Sequence, residues 1–344
     1  MASQVFRKLQ VHKISSVFRQ ATKIVEVPLV PPKTDEIRIK NIYAGVNATD
    51  INITSARYQV DGKVPYDIGM EGLGIVDSIG SAVSGSLKVG QPVLVVDPIH
   101  NMFSEYLYKD PASLVPLPAL KPNFLVANVN GLTGSIGLDK AGRVQKGETV
   151  LITAAAGGTG QIAVQWAKHR GCHVIGLTST EEKARFIKEL GADEVINYKK
   201  ENLDQVLKEK FPSGIDVVWE TMGGDTFKVL LKNLSVKGRV VIIGSTTTYQ
   251  GEGFADVPIP KLNAKLLMKS QQLCGFGVFH WWSDFDEYLP QLIDMISKDK
   301  LIARVDCGDT SPGGKFIGIE QMASAQEWLH EGKNQGKVVV QLHD

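Results

Sequence analysis

Apolar and polar positions change rhythm twice along this chain. Up to about residue 124 the apolar residues come in short runs broken by Pro and Gly: EIRIKNIYAGV, IGMEGLGIVDSIG, QPVLVVD and FSEYLYKD. Such spacing predicts a compact, irregular β barrel rather than strand–helix–strand units. VFRKLQVHKI, near the start, alternates like a barrel strand and runs straight into further strand-like sequence. One short helix is expected near Thr49 to Ala56. From about Asn123 strands and helices alternate. Strands are predicted at Thr149 to Thr153, His173 to Leu177, Glu194 to Asn197, Asp216 to Trp219, Val240 to Gly244 and Gln272 to Phe276. Strands in that rhythm make a doubly wound parallel sheet. After about Asp294 the pattern is mixed again, with a helix in EQMASAQEWLHEGK and a strand in VVVQLHD. This tail is expected to complete the first domain. Residues 1–124 and 294–344 then form a discontinuous β domain, with an α/β domain, 125–293, inserted in it.

The stretch TVLITAAAGGTGQIAVQWAKHRGCHVIGLTST, Thr149 to Thr180, carries the first chemical signal. A short apolar strand enters Ala154-Ala155-Ala156-Gly157-Gly158-Thr159-Gly160. A helix follows with Ile162, Ala163, Trp166 and Ala167 on one face, and then a second strand. A glycine-rich turn between strand and helix lets a pyrophosphate approach the backbone, and the helix start offers it N–H groups and partial positive charge. The competing reading, a tight turn with no ligand, is much weaker in that context.

Composition narrows the picture further. A chain of 344 residues exceeds the roughly 250 to 300 at which single cores stop growing, so about two domains are expected. The formal net charge of +1 provides no basic field for nucleic acid. Cys172, Cys274 and Cys307 are too few and too scattered for a disulfide framework or a thiolate zinc cage, which suggests a reducing compartment. No apolar run reaches the roughly 18 residues that span a bilayer. Arg7, Lys8, Lys13 and Arg19 precede the first acid, Glu26, as in a transit peptide, but the alternation there favours a strand. Leu342-His343-Asp344 is no recognisable peroxisomal address. A cytoplasmic protein is the expectation, with mitochondrial or peroxisomal import not clearly signalled.

Several motifs together carry a family resemblance: GVNATD (Gly45 to Asp50), GMEGLGIV (Gly69 to Val76), GLTG (Gly131 to Gly134), AAAGGTG, NYKKEN and GKNQGKVVV (Gly332 to Val340). Over essentially its whole length the chain resembles the medium-chain dehydrogenase/reductase superfamily, in its zinc-free quinone oxidoreductase and prostaglandin reductase branches. The resemblance implies an α/β fold: a GroES-like irregular β-barrel catalytic domain plus a doubly wound, six-stranded parallel (Rossmann) cofactor domain. It also implies a homodimer. Zinc-dependent relatives hold their metal with a Cys and a His at positions that here are Asn47 and Met70. An amide and a thioether do not replace a thiolate and an imidazole on Zn²⁺, so no metal is expected.

The tip of the second α/β strand speaks for NADP(H). A site for NAD puts an acid there, about twenty residues after the glycines. This chain has Thr178-Ser179-Thr180, then Lys183 one helical turn on and Tyr198 after the third strand. Hydroxyls and a lysine suit a 2′-phosphate. Against this, Glu181 and Glu182 are able to turn inward, and Thr180 reads equally as a helix cap. The resemblance adds cofactor contacts at Thr133, Ala156, Gly157, Gly158, Thr159, Gly160, Gly244, Phe276, Val278 and Asn334. For Asn334 a turn asparagine is the alternative, and for the aromatic run Phe276 to Trp282 plain packing is.

A substrate site is expected in the cleft between domains, at the carboxyl ends of the sheet strands. Asn47, Tyr58 and Tyr249 are the candidates for catalysis. Asn47 either faces the nicotinamide and substrate or stabilises the turn before the short helix. Tyr58 either reaches the cleft or packs half-buried. Tyr249, in GSTTTYQG, resembles a pocket tyrosine of prostaglandin reductases. Without zinc ligands, alcohol oxidation is disfavoured. The expected reaction is reduction of a C=C bond conjugated to a ketone, with hydrogen-bond donors stabilising the developing enolate. The resemblance suggests 15-oxoprostaglandin-like lipid enones. A quinone oxidoreductase, and an NADPH-binding interaction protein with little catalysis, are the alternatives; fold and cofactor site do not separate them.

Overall fold

The structure, a computed structural model, describes residues 4–58 and 63–343. The chain forms two compact units, one made of residues up to 129 together with those from 305 onward, the other of residues 130–304. Strands β1 (Val5–Val11), β2 (Thr22–Pro28), β3 (Ile37–Gly45) and β4 (Tyr66–Asp67) open the first unit. They are followed by β5 (Glu71–Ile79), β6 (Pro92–Val95), β7 (Tyr106–Lys109) and β8 (Leu114–Pro116). The second unit supplies β9 (Thr149–Ile152), β10 (His173–Thr178), β11 (Glu194–Asn197), β12 (Ile215–Glu220), β13 (Leu234–Ile242) and β14 (Gln272–Gly275). The first unit then takes up β15 (Val305–Asp306) and β16 (Lys337–Gln341).

In the first unit, β1 lies antiparallel between β2 and β4, with Phe6, Leu9 and Val11 turned into the core. The larger sheet runs β15-β16-β3-β5-β6-β8, with β7 also paired to β3. Two register shifts between β3 and β5, at Arg38/Ile39 and Asn41/Tyr43, interrupt the ladder. Bulges of this kind bend a strand and raise its twist, which curls the sheet into the GroES-like half-barrel. The tail enters this sheet: β16 runs antiparallel to β3, with Val339 opposite Gly45 and Gln341 opposite Tyr43. The short helix Asp50–Thr54 and the helix Met322–His330 belong to the same unit.

In the second unit the order is β11-β10-β9-β12-β13-β14, all parallel. Strands of such a sheet are covered on both faces and therefore read as continuous apolar runs. Val150, Leu151 and Ile152 of β9 and Val217, Val218 and Trp219 of β12 are all fully buried. The helix Gly158–His169 buries Ile162, Ala163, Trp166 and Ala167, the face its periodicity predicts. A side chain like Ile162 contributes about 1.5–3 kcal/mol by leaving water.

Strand β13 starts at Leu234 rather than Val240, because a bulge carries the pairing from Ile215↔Leu234 to Val217↔Arg239, with Lys237 left-handed at φ 64°. A helical stretch ahead of β9 was not foreseen. Its core, Thr133–Ile136, is flanked by π-helical turns at Asn128–Leu132 and Gly137–Ala141. Gly134 lets it lie against the helix Gly158–His169: a Cβ there would sit 3.2 Å from Ile162 and 3.3 Å from the Ala163 amide nitrogen.

Candidate active site

Because the strands of the second unit are parallel, their carboxyl ends share one edge of the sheet, and most of the expected site residues lie there. Beyond β9, Thr153 Oγ1 donates to the Trp219 carbonyl at 3.0 Å, and the Ala155 amide reaches the Leu177 carbonyl at 3.2 Å. The turn is thereby fixed to both neighbouring strands. Gly157 precedes the helix in an extended conformation, and no side chain caps the helix start. The first amides of that helix are the orphan donors every helix start presents.

The three glycines have different reasons. A Cβ on Gly160 would fall 2.2 Å from the Ala154 carbonyl oxygen. One on Gly158 would fall 2.7 Å from Asn130 Oδ1, whereas the nearest atom to one on Gly157 is 3.2 Å away. Two of the glycines are thus demanded by the protein's own packing, and Gly157 is the one that leaves the backbone approachable. Asn130, not anticipated as a site residue, is buried and donates from Nδ2 to Thr159 Oγ1 at 3.0 Å. Thr133, three residues on, is buried at the start of its helix, and Ala156 is buried in the turn.

At the ends of β10 and β11, Thr178, Ser179 and Tyr198 come together. The Tyr198 amide donates to the Thr178 carbonyl at 3.1 Å, and the phenol hydrogen-bonds Ser179. Burial raises the Tyr198 pKa, with the Ser179 bond opposing it, so the phenol stays neutral. Thr178 Oγ1 is buried with no partner among the described residues. Thr180 does cap the helix Glu181–Glu189, accepting from the Lys183 amide at 3.2 Å, and the half-buried Lys183 lies on its first turn. Glu181 is drawn aside by Lys200 at 2.9 Å and Asn197 at 3.3 Å, and the hydrogen bond from Lys200 lowers its pKa. Lys199 stands 5.7 Å from the Tyr198 ring centre. Both lysines were in plain view in NYKKEN, but only the fold turns them toward this corner.

Beyond β13, Tyr249 is buried, and its Oη accepts from the Ser245 amide at 3.1 Å. The phenol rests against Gly244, where a Cβ would meet it at 2.4 Å. Phe254 meets the ring edge-on at 5.4 Å. Phe276, after β14, is buried and stacked on Trp281 at 5.8 Å, and Val278 starts a short 3₁₀ turn.

The first unit holds a second polar group. Asn47 Oδ1 accepts from Lys337 Nζ at 2.6 Å, and its Nδ2 donates to Glu71 Oε2 at 2.9 Å. Lys337 also pairs directly with Glu71, whose other oxygen accepts from the Val129 amide at 3.0 Å. Asn47, Glu71 and Lys337 are all buried, and Gly45 leaves room for them: a Cβ there would lie 2.7 Å from Glu71 and 2.8 Å from Lys337. Asp50 accepts from the Asn47 amide at 2.8 Å; burial pushes its pKa up to about 7, with that hydrogen bond opposing the shift. The turn before the short helix is therefore held by Asp50, while the Asn47 side chain faces the ion pair. Tyr58 packs half-buried on the core of this unit, as does Met70. Asn334 donates to the Gly336 carbonyl at 2.9 Å, as a turn asparagine does.

Comparison with known proteins supplies the class. Residues 33–137 match the alcohol dehydrogenase GroES-like domain and 158–297 the zinc-binding dehydrogenase domain. The chain belongs to the medium-chain dehydrogenase/reductase superfamily. It is 38% identical to prostaglandin reductase-3 of Mus musculus, over 98% of this chain and 90% of that protein. It is 41% identical to a probable quinone oxidoreductase of Leishmania amazonensis, over 98% of both. The quinone oxidoreductase of Escherichia coli solved with NADPH superposes with a TM-score of 0.83 at 26% identity, over 97% of this chain and 99% of that one.

The zinc for which the 158–297 domain family is named does not fit the residues present. Asn47 stands where a ligand thiolate would be, with its amide engaged by an ammonium and a carboxylate, and Met70 offers only a thioether. Among the described residues no group of three or more His, Cys, Asp or Glu side chains is placed to hold a metal. No helix among them is long and apolar enough to cross a membrane.

Proposed function

We propose that this protein is an NADPH-dependent, zinc-free reductase of the conjugated C=C bond of α,β-unsaturated ketones. The observation that carries the cofactor reading is the corner at Thr178, Ser179, Lys183 and Tyr198. It offers hydroxyls, with Lys183 on the next helical turn, and Glu181 is drawn aside by Lys200. The uncapped helix start at Gly158, with Thr159, suits the bridging phosphates. We assign Thr133, Gly244, Phe276 and Val278 to the nicotinamide end, and Asn334 to a further cofactor contact.

Bound there, the nicotinamide supplies hydride to an electron-poor carbon. The chain's own task is then to stabilise the negative charge that develops on the substrate oxygen. We assign that to Tyr249, whose phenol is fixed by the Ser245 amide against Gly244, with Tyr58 as the second candidate. Asn47 is assigned to holding the shape of the first unit through Glu71 and Lys337. A lipid enone is favoured by the likeness to prostaglandin reductase-3, and a quinone acceptor is the second reading, favoured by the Leishmania relative. We further infer a cytoplasmic protein, on the strength of its three free cysteines.

The deciding experiment measures NADPH and NADH oxidation against lipid enones, quinones and simple aldehydes. The expected result is higher kcat/KM with NADPH than NADH, and with enones than quinones. Tyr249→Phe should lower enone turnover about 100-fold with NADPH affinity nearly unchanged. Higher kcat/KM with NADH refutes the cofactor reading, and higher turnover of quinones selects the second reading.

We also infer a homodimer formed through one of the two edges of the six-stranded sheet. That edge is β14, and Leu267 and Met268 on the preceding helix are 77% and 81% exposed. An open strand edge beside apolar side chains is a pairing surface. Sedimentation of the intact protein at micromolar concentration should show a dimer that Leu267→Glu with Met268→Glu converts to monomer; a monomeric wild type refutes this.

A further inference from the structure

We propose that Asn130 is a positioning residue of the NADPH site, setting Thr159 Oγ1 as a donor to the bridging phosphates. The assignment rests on the cofactor reading above and adds to it a residue outside the glycine-rich turn. A threonine hydroxyl has one proton and accepts through its oxygen lone pairs. In the first turn of a helix, that proton is easily lost to a backbone acceptor nearby. Here Asn130 Nδ2 donates to Thr159 Oγ1 at 3.0 Å, so the hydroxyl oxygen is the acceptor of that bond and its proton is available to another acceptor. It is left to meet an anion together with the orphan amides of the helix Gly158–His169.

The same side chain shapes the other flank. Asn130 is 6% exposed, its Oδ1 has no partner among the described residues, and it lies 2.7 Å from where a Cβ of residue 158 would be. A side chain at position 158 would have to displace this amide. A carbonyl oxygen repels phosphate oxygens, so Oδ1 bars the anion from its own side and leaves the Thr159 side as the one that binds.

The test is NADPH affinity by fluorescence titration of the full chain, for wild type, Asn130→Ala, Thr159→Val and the double variant. Each single substitution should weaken binding about tenfold, the loss of one hydrogen bond to a charged group. The double variant should be no weaker than Thr159→Val alone, because Asn130 acts through Thr159. Asn130→Asp keeps the shape but draws the Thr159 proton back and adds a negative charge. It should weaken binding about 100-fold with Tm within a few degrees of wild type. A purely structural role would lower Tm and give additive losses in affinity, and that result overturns the proposal. Tight wild-type binding with no change in Asn130→Ala overturns it alone, whereas a wild type that fails to bind NADPH overturns the cofactor reading as well.

Discussion

Glu71 and Glu220 are both buried to within a percent of completely, one in each unit, and their surroundings differ in kind. Glu71 has a cation: Lys337 pairs with it, and Asn47 and the Val129 amide take its remaining capacity. Glu220, at the end of β12, has only amides. Met222 donates at 2.8 Å and Gly223 at 3.0 Å, and burial holds the carboxyl up near 7. The polar group of the first unit closes on itself across long stretches of chain. The second unit settles its buried carboxylate within the next turn, and its uncapped helix start, with Thr159 and Thr178, is where we propose that the cofactor binds.

Removing the cation breaks this comparison most sharply. Lys337→Met leaves Glu71 buried without a counter-charge, and breaking such a pair costs about 3–5 kcal/mol. Urea unfolding of the intact protein should show that loss, and Glu71→Gln in the same chain should restore much of it. A Lys337→Met protein unfolding at the wild-type midpoint would mean that the pair does not hold the first unit together.

A smaller effect sharpens the other side. Because Glu220 has a folded pKa near 7 against an ordinary 4.5, the folded state keeps a proton that the unfolded chain releases between those values. Its contribution to stability is therefore full below about 4.5 and is lost as pH rises through about 7. Glu220→Gln, which still accepts from both amides, should be about 3 kcal/mol more stable than wild type at pH 8 and equal to it at pH 4. Asp50 shifts the same way in both proteins, so the difference between their pH profiles isolates Glu220. Parallel profiles would refute the burial argument.

What the sequence made legible was local. The strand, glycine-rich turn, helix and second strand from Thr149 to Thr178 announce themselves because period, turn and cap lie within one continuous stretch. The 178–198 corner was readable for the same reason. Other partners were hidden by separation: Lys337 and Glu71 are 266 residues apart, and Asn130 and Thr159 are 29 apart. Glu71 lay inside GMEGLGIV throughout, yet a carboxylate in a strand says nothing until the cation facing it is known. The glycines of the turn predict a close ligand approach; Gly158 and Gly160 also lie close against Asn130 and Ala154.

The discontinuity of the first unit has a consequence for how the protein is made. Residues 130–304 leave the ribosome as one uninterrupted stretch, with all the strands of their sheet present. Glu71 has been synthesised by then, but Lys337 has not. Domains fold as units during synthesis, usually from the N-terminus onward. Here the middle of the chain is able to finish first, while the beginning waits with an uncompensated acid and an unpaired β3 edge for the strand that carries its cation.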